Sequence, residues 1–286
     1  MTNHTYCELL VHLQSPAAPA SREEARKLLA GALDGASVPP LLFNRTERGK
    51  TIADRLYEHG TPAPWKEGDL RGDKSEVAKE WALGVGVMPA VIVSGGQGGY
   101  VRLTGFGAAG IKAVMENAVT IADALSKKLS GCIYRSRLSR GEVGIDSNTK
   151  GGDLAYFCRH LFLSKKLYHY QDIAARHAAR PPLSAVAPLV KHEIERGLLS
   201  QCLSLKHFNP EGKDLILDLP DPESLGIEIL EGEVFYLPIE GKNKGLAIKN
   251  LVFTMNLNLT GPWHVGRMRS RGYGLIRRAY ANKGVR

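Results

Sequence analysis

The stretch from Pro89 to Tyr134 limits the possible folds more than any other part of the chain. Two apolar runs, Ala90–Val93 and Tyr100–Thr104, flank the glycine-rich turn SGGQGG, which predicts a β-hairpin. Ile111, Val114, Met115, Ala118, Ile121, Ala122, Leu125 and Leu129 then recur at helical spacing, and Cys132–Tyr134 reads as a strand. Upstream, Tyr6–Leu13 is a short apolar run with strand character. Ser21 and Glu24 form a capping box ahead of Ala25, Leu28, Leu29, Ala32 and Leu33, a helical stripe that Gly35 can end. The order is β-α-β-β-α-β.

That order is the split βαβ plan of ferredoxin-like (RRM-like) modules, an antiparallel sheet with helices on one face and the other face open. Between the first helix and the hairpin the pattern says less. It suggests a short strand at Leu41–Phe43, a basic cluster of Arg45, Arg48 and Lys50, and a short helix near Ile52–Tyr57. Between Arg135 and Lys150 a basic loop or hairpin carries Arg135, Arg137 and Arg140. Leu154–Leu205 reads as helices interrupted at Pro181-Pro182, with Lys165 and Lys166 beside Tyr168-His169-Tyr170. From Phe208 the period returns to two, most clearly at Leu251, Phe253, Met255, Leu257 and Leu259. The 286 residues suit about two domains. The expectation is an α+β protein: a ferredoxin-like RNA-binding module over 1–150, a helical insertion over 151–207, and a second β-rich ferredoxin-like module over 208–286.

Charge separates the two ends of this plan. From Gly241 to Arg286 the chain has ten Lys and Arg and no acid, so of its 38 cations and 29 acids the first 240 residues keep 28 and 29, a net −1. The excess is therefore a local field aimed at a polyanion, and nucleic acid is the first candidate. No run approaches the roughly 18 apolar residues of a membrane span, and the start has no signal-peptide layout, so a cytoplasmic protein with no membrane partner is expected. Cys7, Cys132, Cys158 and Cys202 form no C-x-x-C pair, and the histidines His160, His169 and His177 stand nine and eight residues apart. Neither set spells a metal site, and buried thiols are expected.

Within the basic tail, directly after the best strand pattern, lies His264-Val265-Gly266-Arg267-Met268-Arg269-Ser270-Arg271-Gly272-Tyr273-Gly274. Glycines on both sides of an arginine-rich centre allow a backbone to approach phosphates while guanidinium forks reach them in pairs. The bland alternative is a surface hairpin with glycine turns and solvated arginines. The spacing resembles the glycine-rich loop of the RAMP superfamily, G-φ-G-x5-G-φ-G with φ apolar and a basic residue among the five, with His264 standing in place of the first glycine. Together with the ferredoxin-like start, it is similar to that of the CRISPR endoribonucleases that cut repeat RNA into guide RNAs. The helical insertion resembles the type IV lineage.

The resemblance implies a metal-independent cleavage of structured CRISPR repeat RNA, in which a ribose 2′-hydroxyl attacks the adjacent phosphate, and it implies no cofactor. RNA contacts are expected from Arg135, Arg137, Arg140, Lys165, Lys166, Gly266, Arg267, Arg269, Arg271, Gly272 and Gly274. Related enzymes commonly carry a histidine in or just after the first helix, whereas residues 13 to 58 here contain none. Arg22, Arg26, Arg45 and Arg48 are therefore expected to stabilise the reacting phosphate, with His264 transferring the proton. Other CRISPR effector subunits are candidate partners, and a RAMP subunit that grips guide RNA without cutting it is an alternative. A second alternative rests on Gly105-Phe106-Gly107-Ala108-Ala109-Gly110, a G-x-G-x-x-G between a strand and a helix, which is the setting of an NAD(P)-binding turn. Arg135 and Arg137 stand where its carboxylate is expected, and no alternating βαβ series continues.

Overall fold

The computed structural model describes residues 5–14, 19, 21–43, 89–96, 99–130, 133–147, 153–164, 180–208, 225–238, 244–269 and 272–279. The chain splits into two compact units. One comprises Met1–Glu142, Cys202–Ile216 and Arg269–Gly272, the other Val143–Gln201, Leu217–Met268 and Tyr273–Arg286. Among the described residues no helix is long and apolar enough to cross a membrane.

The first unit runs β1 (Tyr6–Leu13), α1 (Arg22–Ala32), β2 (Val91–Gly96), β3 (Tyr100–Phe106), α2 (Gly107–Glu116), α3 (Ala118–Lys128) and β4 (Ile133–Gly141). Its sheet has the order β2-β3-β1-β4, and each neighbouring pair is antiparallel. Strict alternation along β1 buries Cys7, Leu9, Val11 and Leu13 in one core with Ala25, Leu29 and Leu33 from α1 and its end, Val114 of α2, and Ile121 and Leu125 of α3. Each fully buried Leu or Ile there contributes about 2 kcal/mol relative to an exposed one. Ser21 starts α1 as expected, its hydroxyl accepting from the Glu24 amide at 3.2 Å.

Three local expectations change. Residues 135–141, read as part of a basic loop or hairpin, continue β4 as a strand along β1, because their side chains alternate across the sheet. Leu41–Phe43 belongs to a 3-10 turn, Pro40–Phe43, in place of a strand. The single helix read from Ile111 to Leu129 is two, because the Asn117 side chain bonds back to the Ala113 carbonyl at 2.8 Å and its backbone leaves helical geometry. The periodicity carries across the break, so the sequence pattern alone does not reveal it.

The second unit contains β5 (Gly144–Ser147), paired with β9 (Leu257–Thr260), and a five-stranded sheet. That sheet is built from β6 (Leu154–Ser164), β7 (Glu228–Pro238), β8 (Lys244–Met255), β10 (Trp263–His264) and β11 (Leu275–Arg278) in the order β10-β11-β6-β8-β7. Helix α4 (Leu183–Phe208) follows β6. The four strands β11-β6-β8-β7 repeat the order β4-β1-β3-β2 of the first sheet, with α4 in the chain position of α1. Where the first unit has α2 and α3, the second has β9, β10 and the glycine-rich segment. This tandem arrangement is the ferredoxin-like plan twice over.

The repeat corrects the helical reading of Leu154–Leu205. Residues 154–164 are a strand whose buried Tyr156, Cys158, Leu161, Phe162 and Leu163 line the sheet. Among the described residues of this stretch, helix begins at Leu183, with Val186, Val190, Ile194 and Leu198 as its buried stripe. The strand was missed because β6 is apolar on both faces near its end, which removes the period-two signal. The helix near Ile52–Tyr57 falls outside the described residues.

Candidate nucleic-acid interface

The glycine-rich segment is held by its own backbone against β6 and α4. The Val265 amide donates to the Gly274 carbonyl at 3.0 Å, Gly274 to His160 at 2.9 Å, Arg267 to Phe162 at 2.8 Å, and Gly266 to Glu193 at 3.4 Å. Gly266 and Gly274 have φ of +71° and +77°. A Cβ at 266 would stand 2.7 Å from the Phe162 carbonyl oxygen, and one at 274 would run into the carbonyl oxygen of Val265. Within the first unit, Gly272 lies so close to β2 that a Cβ would stand 3.0 Å from Ser94 Cα. All three glycines are buried. Their observed service is close backbone packing, and their amides at 266 and 274 bond to protein carbonyls. Any polyanion here meets side chains first.

Those side chains are arranged by α4. Glu193, 6% exposed, accepts from both Nε and Nη2 of Arg267 through Oε1, at 3.3 and 3.2 Å. Arg196, equally buried, lies 3.9 Å from the same oxygen, and its Nη1 is 3.4 Å from Nε2 of His192. Gln201 fixes β10: its Oε1 accepts from the His264 amide and its Nε2 donates to the Pro262 carbonyl, both at 2.8 Å. His264 is 2% exposed, with Nδ1 3.2 Å from the Tyr273 carbonyl, so that nitrogen carries the proton. Arg267 keeps 37% of its side chain in solvent, whereas Arg269 is buried at 5%. Neighbouring Glu195 has its carboxyl pushed up by burial, with Lys191 at 3.9 Å opposing.

Glu193 and Gln201 carry this geometry, and the sequence reading passed over both. The available signal was a charged and an amide residue bordering the apolar stripe of α4, in a chain whose acid-free tail needs a counter-ion.

The other expected residues are distributed as follows. Arg22 and Arg26 are half-buried, one turn apart on the same face of α1. Arg135, Arg137 and Arg140 are exposed on β4; by register with Leu10 and His12 the first two share the sheet face opposite the helices, while Arg140 pairs with core-facing Cys7. Arg45, Arg48, Lys165, Lys166 and Arg271 lie outside the described residues. Among the described residues, no three His, Cys, Asp or Glu side chains gather as a metal cluster.

The G-x-G-x-x-G segment serves packing too. A Cβ at Gly105 would run into the Gly110 carbonyl and one at Gly110 into that of Ala90. Strand β3 before it is antiparallel to both neighbours, so the parallel βαβ unit of a dinucleotide turn is not formed.

The fold has solved counterparts. A type IV Cas6 crRNA endonuclease, Csf5, superposes with a TM-score of 0.55 at 18% identity, covering 96% of this chain and all of the other. Cas6b superposes at 0.54 with 11% identity, covering 96% of this chain and 98% of the other. No curated protein matches the sequence. A family model described as type IV CRISPR-associated endonuclease Csf5 matches residues 8–281, and the chain belongs to that family.

Proposed function

We propose that this protein processes CRISPR RNA by binding a structured repeat and cleaving it once, without metal. The family match over residues 8–281 carries the reading, and the ten Lys and Arg with no acid between Gly241 and Arg286 support it. In this reading the ribose 2′-hydroxyl attacks the adjacent phosphate in line, the 5′-oxygen leaves, and the products carry a 2′,3′-cyclic phosphate and a 5′-hydroxyl. The chain's own contribution is alignment and charge. Arg22 and Arg26, together with Arg45 and Arg48, stabilise the crowded phosphorane, and Arg267 holds a phosphate beside the glycine-rich segment. Guanidinium groups are poor bases, so proton transfer is the weakest contribution of these arginines.

For His264 the burial supports a positioning role in place of the expected proton transfer, because its Nδ1 hydrogen is committed to the Tyr273 carbonyl. Other CRISPR effector subunits stand as proposed partners after cleavage. The deciding experiment incubates purified protein with a repeat hairpin in EDTA, beside the same hairpin carrying a single 2′-deoxy substitution at the scissile nucleotide. Cleavage of the first with a cyclic phosphate end, and binding without cleavage of the second, is the expected result. Tight binding of both with no product assigns the chain to the gripping, non-cutting class, and a strict requirement for added magnesium overturns the mechanism.

A further inference from the structure

The face of the first sheet opposite its helices is buried on the β2 side, at Ile92, Ser94 and Thr104, with Ser94 lying against Gly272. Toward β1 and β4 it carries two rows of side chains that the core does not use. Register places Tyr100, His12 and Arg135 in one row across β3, β1 and β4, and Arg102, Leu10 and Arg137 in the next. The Tyr100 and His12 rings are 6.5 Å apart, tilted by 55°, and the Arg102 guanidinium stands 5.4 Å from the Tyr100 ring centre. Glu8, in the following row, lies 3.4 Å from Arg102 Nε, so its charge is directed within the face. Tyr100, His12, Leu10 and Arg102 are half-buried, and Arg135 and Arg137 are exposed on edge strand β4. Two neighbouring rings with an arginine over one of them, flanked by two exposed cations, match the two faces of an unpaired nucleotide. Bases outside a duplex stack on aromatic rings, whereas a stem keeps its bases inside and offers only backbone.

We propose that this sheet face binds unpaired nucleotides adjoining the repeat stem, with Tyr100 and His12 stacking on bases and Arg135 and Arg137 holding the intervening phosphates. The proposal rests on the reading of the chain as a repeat-RNA endonuclease. It assigns the flank, as distinct from the stem, to a site of its own.

The test compares the affinities of a bare repeat hairpin and of the same hairpin with a short unpaired flank, for wild type, Tyr100→Ala and Tyr100→Phe. A 2-aminopurine placed in the flank reports stacking directly. The flank is expected to tighten binding to wild type and Tyr100→Phe, to quench 2-aminopurine in both, and to lose about tenfold of its advantage in Tyr100→Ala. An unquenched 2-aminopurine in the wild-type complex, or one affinity ratio shared by all three proteins, overturns the proposal while hairpin binding leaves the parent reading intact. Failure of wild type to bind either RNA overturns both. If Tyr100→Ala does not fold, the quenching in wild type and Tyr100→Phe, with the flank advantage of Arg135→Ser/Arg137→Ser expected to shrink, decides the matter.

Discussion

Arg267 gives both Nε and Nη2 to one carboxylate oxygen of Glu193, at 3.3 and 3.2 Å, while the amide just before it, on Gly266, reaches the backbone carbonyl of the same glutamate at 3.4 Å. One residue of α4 therefore fixes both the path of the glycine-rich segment and the direction of Arg267. Glu193 is buried and Arg196 is buried beside it, so the carboxylate is also the counter-ion of a cation with little access to water.

Removing that carboxylate deletes the partner of Arg267 and one counter-ion of buried Arg196. Glu193→Ala is expected to lower stability by about 3 kcal/mol, in the range found when one partner of a buried pair is deleted. Arg267→Ala, whose side chain is 37% exposed, is expected to cost less than half as much. Urea unfolding of both variants and their double mutant checks this: the double mutant should lose less than the sum, and strict additivity would show that the pair is not coupled.

The arginines of the glycine-rich segment should divide by exposure. Arg267→Ala is expected to weaken repeat-RNA binding and lower the slope of log affinity against log salt by roughly 0.7–0.9, the release expected for one phosphate contact. Arg269, 5% exposed, should instead lower the melting temperature when changed to Ala. Salt titrations of both variants at matched temperature are the measurement; equal slopes would remove Arg267 from the interface.

Three glycines give a graded test of the backbone argument. Gly31 lies inside α1 with nothing within 4 Å of a built Cβ, so Gly31→Ala should stabilise by about 0.5–1 kcal/mol. Gly35 has equal room but φ of +77°, and its replacement by Ala should cost about 1 kcal/mol. Gly274 shares that φ and also abuts the Val265 carbonyl, so Gly274→Ala should be the most damaging of the three and should abolish RNA binding. A rank order other than 31, 35, 274 in thermal unfolding contradicts the reasoning.

Glu195 supplies a pH signature. Burial raises its folded-state pKa above the ordinary carboxylate value, and Lys191 only partly opposes this. The folded protein then binds the proton more tightly than the unfolded chain, so the contribution of Glu195 is fully present below the unfolded pKa and is lost as pH rises through the folded one. Glu195→Gln should therefore be more stable than wild type at neutral pH, with the difference vanishing as the pH is lowered below the usual carboxylate range. A constant difference across a series of urea melts from pH 4 to 8 would rule out the titration.

Much of the first module was legible because its signals are local. The Ser21 cap, the alternation of β1 and the SGGQGG turn each act over a few residues, and each formed where expected. The acid-free tail and the spacing of its glycines likewise point to the family from sequence alone. The second module was read less well. Its β6 is apolar on both faces near its end, and the repeated sheet order emerges only when β11, from the end of the chain, pairs with β6 more than a hundred residues earlier. Such pairing has no local trace.

For the site, the sequence alone determined which residues carry charge and where glycine was available. Tertiary structure decided what each does. Gly266 and Gly274 spend their amides on α4 and β6 carbonyls, His264 is buried with its ring turned to the Tyr273 carbonyl, and Glu193, which carries no motif, orients Arg267. The reason is that burial and hydrogen-bond partners are properties of packing across distant segments. A residue's type sets the chemistry it can perform, and its neighbours in space determine which part of that chemistry faces a ligand.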